Sequence, residues 1–432
     1  MKTPQAMLLV LLTMAAISAV GAETAGPVKV EIVEAGGRYQ LLRGGVPYKI
    51  KGAGMAVDHI VAFTGHGGNS IRNWTTGNEP QDIMEFLDQA QANDVTVMLC
   101  LPMQAERWGF DYDDEAAVAA QLEAFRGEVM RYRDHPALLA WIIGNELNHG
   151  YTNPRVYDAV NDVARMIREL DPYHPTTTTV AGFFDNVVAD ILSRAPDLDF
   201  ISFQAYGMLF AFPELMEKAG FDKPFMVTEW GAIGYWEVGK TDWGAPIEAT
   251  SSQKADVFMR ANRNILEQFD DRLLGSYVFF WGQKQERTPT WFGLLTENGE
   301  ETEAVDVMHY IWTGSWPDNR APQVRKILLA GKDPAASVRL KTGKRARARV
   351  AVVDPDGDPL TIRWELKPES QATQVGGDFE ESIVSLDGFI DDADSWTARI
   401  TAPAPGAYRL FVYAYDGQGH AAHANIPFLV TE

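Results

Sequence analysis

Two glutamates end two apolar, β-branched runs: Trp141-Ile142-Ile143-Gly144-Asn145-Glu146 and Met226-Val227-Thr228-Glu229-Trp230-Gly231. A carboxylate at the end of a buried strand is either neutralised or put to use. Cleaving a glycosidic bond with retention needs two carboxyl groups about 5–5.5 Å apart. One attacks the anomeric carbon; the other protonates the leaving oxygen and then activates water. Two structural carboxylates in ion pairs are the alternative, and for a lone strand-end glutamate that is the better reading. Two such glutamates with these flanks favour chemistry. Glu229 must be ionised to attack, so it needs a cation, and Arg72 is the candidate. A structural ion pair inside the fold is the other reading of Arg72. Glu146 must first hold a proton, which calls for a less polar setting or a nearby negative charge.

The elements that must position this pair follow a repeating rhythm. Apolar strands are expected at Tyr48–Ala53, Asn69–Trp74, Val95–Met103, Leu138–Glu146, Pro175–Ala181, Leu198–Tyr206, Pro224–Trp230 and Leu273–Trp281. Between them lie helical stretches such as Gln81–Asn93, whose Ile83, Phe86, Leu87 and Ala90 share one face. Glu115–Tyr132, Arg155–Leu170 and Ser252–Phe269 behave alike. Eight such units predict an α/β fold, a (β/α)8 TIM barrel, with the active site at the C-terminal ends of the strands. Glu146 then ends the fourth strand and Glu229 the seventh. An open doubly wound sheet would need a phosphate-binding glycine turn after its first strand, and Gly52-Ala53-Gly54 opens no helix. One or two hairpins, with turns at Gly36-Gly37 and Gly44-Gly45, precede the barrel.

The pattern breaks at Trp316-Pro317-Asp318-Asn319-Arg320-Ala321-Pro322, a linker. Beyond it short strands dominate: Lys344–Val353, Thr361–Leu366, Thr397–Thr401, Ala407–Tyr415 and Asn425–Val430. They predict a small all-β immunoglobulin-like sandwich. The expected division is a signal peptide at 1–22, the barrel at 23–315 and the sandwich at 316–432. Lys2, the apolar Met7–Val20 and the small residues Val20-Gly21-Ala22 carry the first of these, so a secreted or periplasmic protein is expected. No other stretch is apolar and long enough for stable membrane insertion.

The formal net charge of −21 argues against nucleic acid and anionic polymers as partners and suits a neutral substrate. Cys100 is the single cysteine, inside an apolar run, and reads as a buried strand thiol. His59, His66 and His149 follow strands without metal-ligand spacing, so neither a metal nor another cofactor is expected. Twelve tryptophans are many for this length. Trp74, Trp108, Trp230, Trp236, Trp243, Trp281 and Trp291 fall at strand ends or in the loops that follow. Sugar faces stack on indole rings, so together they suggest an extended saccharide site, although each alone reads equally well as core. Loop 231–252 is a candidate for the cleft wall; loop 283–291 reads equally as a binder of sugar hydroxyls or as an ordered surface loop.

Gly144-Asn145-Glu146 and Thr228-Glu229-Trp230-Gly231 resemble the acid/base and nucleophile motifs of glycoside hydrolase family 2. Asp134-His135-Pro136-Ala137-Leu138-Leu139-Ala140-Trp141 and Asn69-Ser70-Ile71-Arg72 are similar to that family too. The resemblance covers about residues 28–315. It implies Glu146 as acid/base, Glu229 as nucleophile, Asn145 on the sugar 2-hydroxyl, Arg72 beside the nucleophile, Tyr206 bonded to Glu229 and Trp281 as the platform under the cleaved sugar. The barrel is expected to begin almost at once, without the N-terminal β-sandwich domains typical of the family, so its substrate class does not carry over. The expectation is a retaining β-glycosidase acting on a neutral β-linked oligo- or polysaccharide. A transglycosidase with the same glutamates, or a non-catalytic glycan-binding or polysaccharide-assembly protein, is the alternative. In the C-terminal part, Asp354–Leu360 resembles bacterial immunoglobulin-like or PKD-like modules. Asp354, Asp356 and Asp358 there read as a turn more readily than as a Ca²⁺ site. The basic run Arg345–Arg349 reads as the solvated face of an edge strand. Sugar identity, linkage and oligomeric state are left open.

Overall fold

The computed structural model describes residues 26–77, 82–373 and 376–432. The expected signal peptide lies outside the described residues. Three antiparallel strands, Val30–Ala35, Arg38–Arg43 and Val46–Pro47, come first. Their turns are the two glycine pairs, with φ of 64° and 77° at Gly36 and Gly37 and 60° and 77° at Gly44 and Gly45. A two-residue hairpin turn with positive φ at both positions excludes most side chains, which is why glycine is doubled.

Eight parallel strands then close into a barrel: Gly52–Gly54, Ser70–Arg72, Thr96–Leu101, Leu138–Ile143, Thr176–Ala181, Phe200–Gln204, Phe225–Gly231 and Leu273–Phe279. They are numbered one to eight below. Side chains alternate between two cores. Val97, Leu99, Leu101, Trp141 and Ile143 pack outward under the helices. Met98, Cys100, Ala140 and Ile142 point inward and meet Val30 and Leu41 of the N-terminal hairpins, which plug the bottom of the barrel. Burial in that plug pushes the Cys100 thiol up to about 12, so it is an inert strand thiol. The helices Glu115–Tyr132 and Arg155–Leu170 keep the expected bounds. Asp114 caps the first of them, accepting from the Ala116 and Ala117 amides at 3.0 Å each.

The C-terminal unit is a sandwich of two four-stranded sheets around Leu366, Ile400, Leu410 and Phe428. Arg345–Val353 pairs on both sides, with Gln323–Leu329 and Thr397–Thr401, so the basic run is the exposed face of a central strand; the edge-strand expectation is corrected. The sandwich docks on the barrel through a buried polar network. Glu248 accepts from Lys254 at 2.5 Å, Thr288 at 2.7 Å, Thr290 at 2.8 Å and Asn425 at 2.5 Å. Arg409 donates to Glu369 at 2.6 Å, to Asn425 at 2.7 Å and to the Pro246 carbonyl at 2.8 Å. Each charge is paired and hydrogen-bonded, as burial demands. Among the described residues no helix is long and apolar enough to cross a membrane.

Candidate active site

Strand four stops at Ile143 because the next residues leave extended geometry. Gly144 has φ 72° and Glu146 φ 51°. A Cβ on Gly144 would sit 2.5 Å from Leu147, so the turn requires glycine. Glu146 is a glutamate held in a left-handed conformation, a strain that persists only where neighbours fix it. Thr179 of strand five helps, accepting from the Glu146 amide at 3.1 Å. The turn swings the Glu146 carboxyl to the barrel mouth, partly exposed, with His149 Nε2 3.2 Å from its Oε2.

Glu229, on strand seven, is buried among three donors. Arg72 and the Trp74 indole N–H, the latter at 2.8 Å, donate to Oε1. The Tyr206 hydroxyl donates to Oε2 at 2.7 Å. Burial pushes the Glu229 carboxyl above its ordinary value, and the charge of Glu146 adds to this. Arg72, Trp74 and Tyr206 pull the other way, because each donates to the anion. Burial among negative groups, Glu229 first, pushes the Tyr206 hydroxyl well up, so it stays a donor.

Asn145 lies between the two glutamates. Its Oδ1 accepts from Arg72 at 2.7 Å, from Gln204 at 2.9 Å and from Thr179 at 3.3 Å. The oxygen is fully used, so the amide nitrogen is turned to the cleft, a donor free for a hydroxyl. The cleft encloses about 1700 Å³ and takes in Asn145, Glu146, Tyr206 and Glu229 together.

The sequence of this region can be placed. Residues 59–243, which include both glutamates, match the model described as glycosyl hydrolases family 2, TIM barrel domain. The barrel is similar to the glycoside hydrolase family 2 TIM barrel domain. Mannan endo-1,4-beta-mannosidase F of Aspergillus clavatus is 26% identical over 182 residues, covering 36% of this chain and 41% of that protein. Beta-glucuronidase 2 of Bacteroides uniformis, solved covalently bound to cyclophellitol-6-carboxylate aziridine, matches with a TM-score of 0.51 at 14% identity. That match covers 93% of this chain and 48% of the other. The beta-D-glucuronidase of Dictyoglomus thermophilum gives 0.50 at 19% identity, over 68% of this chain and 54% of that one. At such identities the likeness to the solved structures is one of fold. The chain spans less than half the length of the mannosidase and of the Bacteroides enzyme.

Within this family 2-like barrel the aromatic residues divide sharply. Trp74, Trp108 and Trp236 line the cleft. Trp281 does not, and its expected role as the sugar platform is corrected. Its backbone N–H donates to the Gly54 carbonyl at 3.0 Å. Its ring, 1% exposed, packs outward on Phe63 and stacks on Trp312. Phe279 and Phe280, joined by a cis peptide, face the cleft in its place. Trp230 is corrected likewise: it follows Glu229 by one residue, so strand alternation turns it outward onto Phe258. Trp291 is buried beneath the rim, its N–H donating to the Ile233 carbonyl at 2.9 Å. Sequence reasoning missed Gln204 and Thr179, and weighed His149 only as a metal ligand. Gln204 ends its strand, Thr179 lies within one, and His149 lies three residues past Glu146, which is the only sequence signal they give. Asp354 and Asp358 do come together, with Asp416, whereas Asp356 accepts from the Arg320 amide at 2.8 Å.

Proposed function

We propose that this protein is a retaining β-glycosidase that cleaves a neutral β-linked oligo- or polysaccharide by double displacement. The observation that carries the reading is the unlike setting of two carboxylates in one cleft. Glu229 is buried on a guanidinium and two further donors; Glu146 is partly exposed against a single imidazole. Such asymmetry divides the roles of nucleophile and acid. Glu229 attacks the anomeric carbon as the glycosidic bond breaks, and Glu146 gives its proton to the departing oxygen. Glu146, now a carboxylate, takes a proton from water as that water attacks the same carbon and releases Glu229. The donors on Glu229 stabilise it as it leaves the sugar. The Asn145 amide holds the 2-hydroxyl, a contact that strengthens as the ring becomes oxocarbenium-like.

Neutral sugar is favoured by the state of the cations. Arg72 is committed to Glu229 and Asn145, Lys284 to Glu286 at 2.8 Å, and Arg107 to Asp378 at 3.2 Å. Among the described lining residues no Lys or Arg is left over to pair with a uronate carboxylate. The name of the mannosidase relative makes β-1,4-mannan the first polymer to try. We also propose export through Met7–Val20, which predicts that protein recovered outside the cytoplasm begins after Ala22.

The test is an NMR time course with β-linked glucans, galactans and mannans, beside Glu229→Gln. A first-formed β anomer in the wild type alone is expected. A first-formed α anomer, or equal turnover by Glu229→Gln, refutes the mechanism. Binding without turnover makes the cleft a glycan receptor.

A further inference from the structure

The cleft is not made by the barrel alone. Gly376, Gly377, Asp378 and Phe379 line it, and all four belong to the C-terminal sandwich. Three sets of contacts tie this segment to the rim. The Gly377 amide donates to Glu286 at 3.2 Å and the Gly377 carbonyl accepts from Lys284 at 3.0 Å. Asp378 pairs with Arg107 at 3.2 Å. The Arg287 amide donates to Glu380 at 2.9 Å. Lys284, Glu286 and Arg287 follow strand eight and Arg107 follows strand three, so the segment reaches between separate parts of the rim.

The segment also fixes an aromatic plate. The Trp236 indole is closely approached by two stretches of backbone: a Cβ on Gly234 would fall 2.4 Å from it, and one on Gly376 2.9 Å. Two glycines permit that approach, and a larger residue at either would displace the ring. Trp236 lies edge-on to Tyr206 at 5.6 Å, and Tyr206 holds Glu229. The plate therefore begins one side chain from the reacting carboxylate. Two further rings flank the Arg107–Asp378 pair. Trp108, with the Arg107 guanidinium 4.5 Å above it, is 64% exposed, and Phe379 is 81% exposed. Large rings held in water beside a cleft mark a surface made to be covered.

We propose that Gly376–Phe379 is a sugar-binding wall, taking the units of a neutral β-linked oligosaccharide beyond the one being cleaved, with Phe379 as a stacking face. A cleft of about 1700 Å³ exceeds the roughly 300–1000 Å³ that hold a drug-sized ligand, which leaves space for several sugars. Apolar sugar faces meet the rings, and hydroxyls meet the ion pair and the peptide groups. The wall rests on the glycan reading above, and the experiment separates the two.

Binding of manno- and gluco-oligosaccharides of increasing length is measured by calorimetry on Glu229→Gln, alone and combined with Phe379→Ala, Asp378→Asn or, as a surface control, Val384→Ala. Turnover is followed in parallel on the corresponding single variants. Affinity for the longer chains is expected to fall roughly two- to tenfold with Phe379→Ala, more than for the shortest chain. Asp378→Asn shifts it in the same direction and Val384→Ala leaves it unchanged. Phe379 is a surface residue, so its loss does not threaten folding. Equal affinities with and without Phe379, or no binding of any chain to Glu229→Gln, overturn the wall. Length-dependent loss of binding in a protein whose wild type turns nothing over keeps the wall and refutes the glycosidase.

Discussion

Replacing Tyr206 by Phe removes one oxygen and little else. The hydroxyl donates to Glu229 Oε2 at 2.7 Å. The ring packs on Phe292 at 5.1 Å, Trp236 at 5.6 Å and Phe279 at 5.9 Å, contacts that Phe keeps. A hydrogen bond to a charged acceptor is worth about 1.5–3 kcal/mol. Oε1 retains Arg72 and Trp74, so the lower end applies, and 1.36 kcal/mol is a factor of ten between protonation states. The hydroxyl favours the anion; removing it favours the proton on Glu229. The acid limb of kcat/KM, which reports the free enzyme, therefore moves to higher pH. On that limb the variant loses roughly tenfold, and on the neutral plateau less. The assay is the pH profile of Tyr206→Phe and wild type on an aryl β-glycoside, with circular dichroism to check the fold. An acid limb that stays put, or moves to lower pH, in a folded variant refutes the electrostatic account of Glu229.

Three further outcomes are expected. Glu146→Ala slows glycosides with poor leaving groups far more than activated aryl glycosides, and equal losses on both remove Glu146 from the acid role. Arg409→Met leaves the buried Glu369 carboxylate unpaired, so denaturant unfolding should show a loss of about 3–5 kcal/mol. His423 is pushed down to about 3 by burial and by the Lys254 charge, from 6.5. A depressed histidine adds stability above its unfolded value, and that stability is lost as pH falls from 6.5 toward 3. The urea midpoint should decline across that window, and His423→Leu should flatten the decline.

Much of the barrel can be read from the sequence because each strand is a short apolar run between amphipathic helices, and the period changes abruptly at its ends. The pair Glu146 and Glu229 is legible because each interrupts such a run. Arg72 and Tyr206 meet Glu229 as expected, since strand ends in a closed barrel converge. Trp281 was misread because the chain leaves strand geometry after Phe279, and side-chain direction past that point follows no period. Gln323–Leu329 and Val338–Lys341 gave too little pattern beside the linker to be seen as strands. The Asp378–Arg107 pair joins residues 271 apart (378 − 107), and no local pattern encodes such a meeting.

The network around Glu248 and Arg409 has a consequence for modularity. Small β-sandwiches are commonly treated as interchangeable attachments, joined by a linker and free to be traded between enzymes. Here the sandwich supplies Asn425 to a carboxylate on the barrel and takes the Pro246 carbonyl in return. A graft of this sandwich onto another barrel would have to carry Pro246, Glu248, Lys254, Thr288 and Thr290 with it. Recombination at the Trp316–Pro322 linker would instead strip Glu248 of Asn425 and Arg409 of the Pro246 carbonyl, so the heritable unit is the pair.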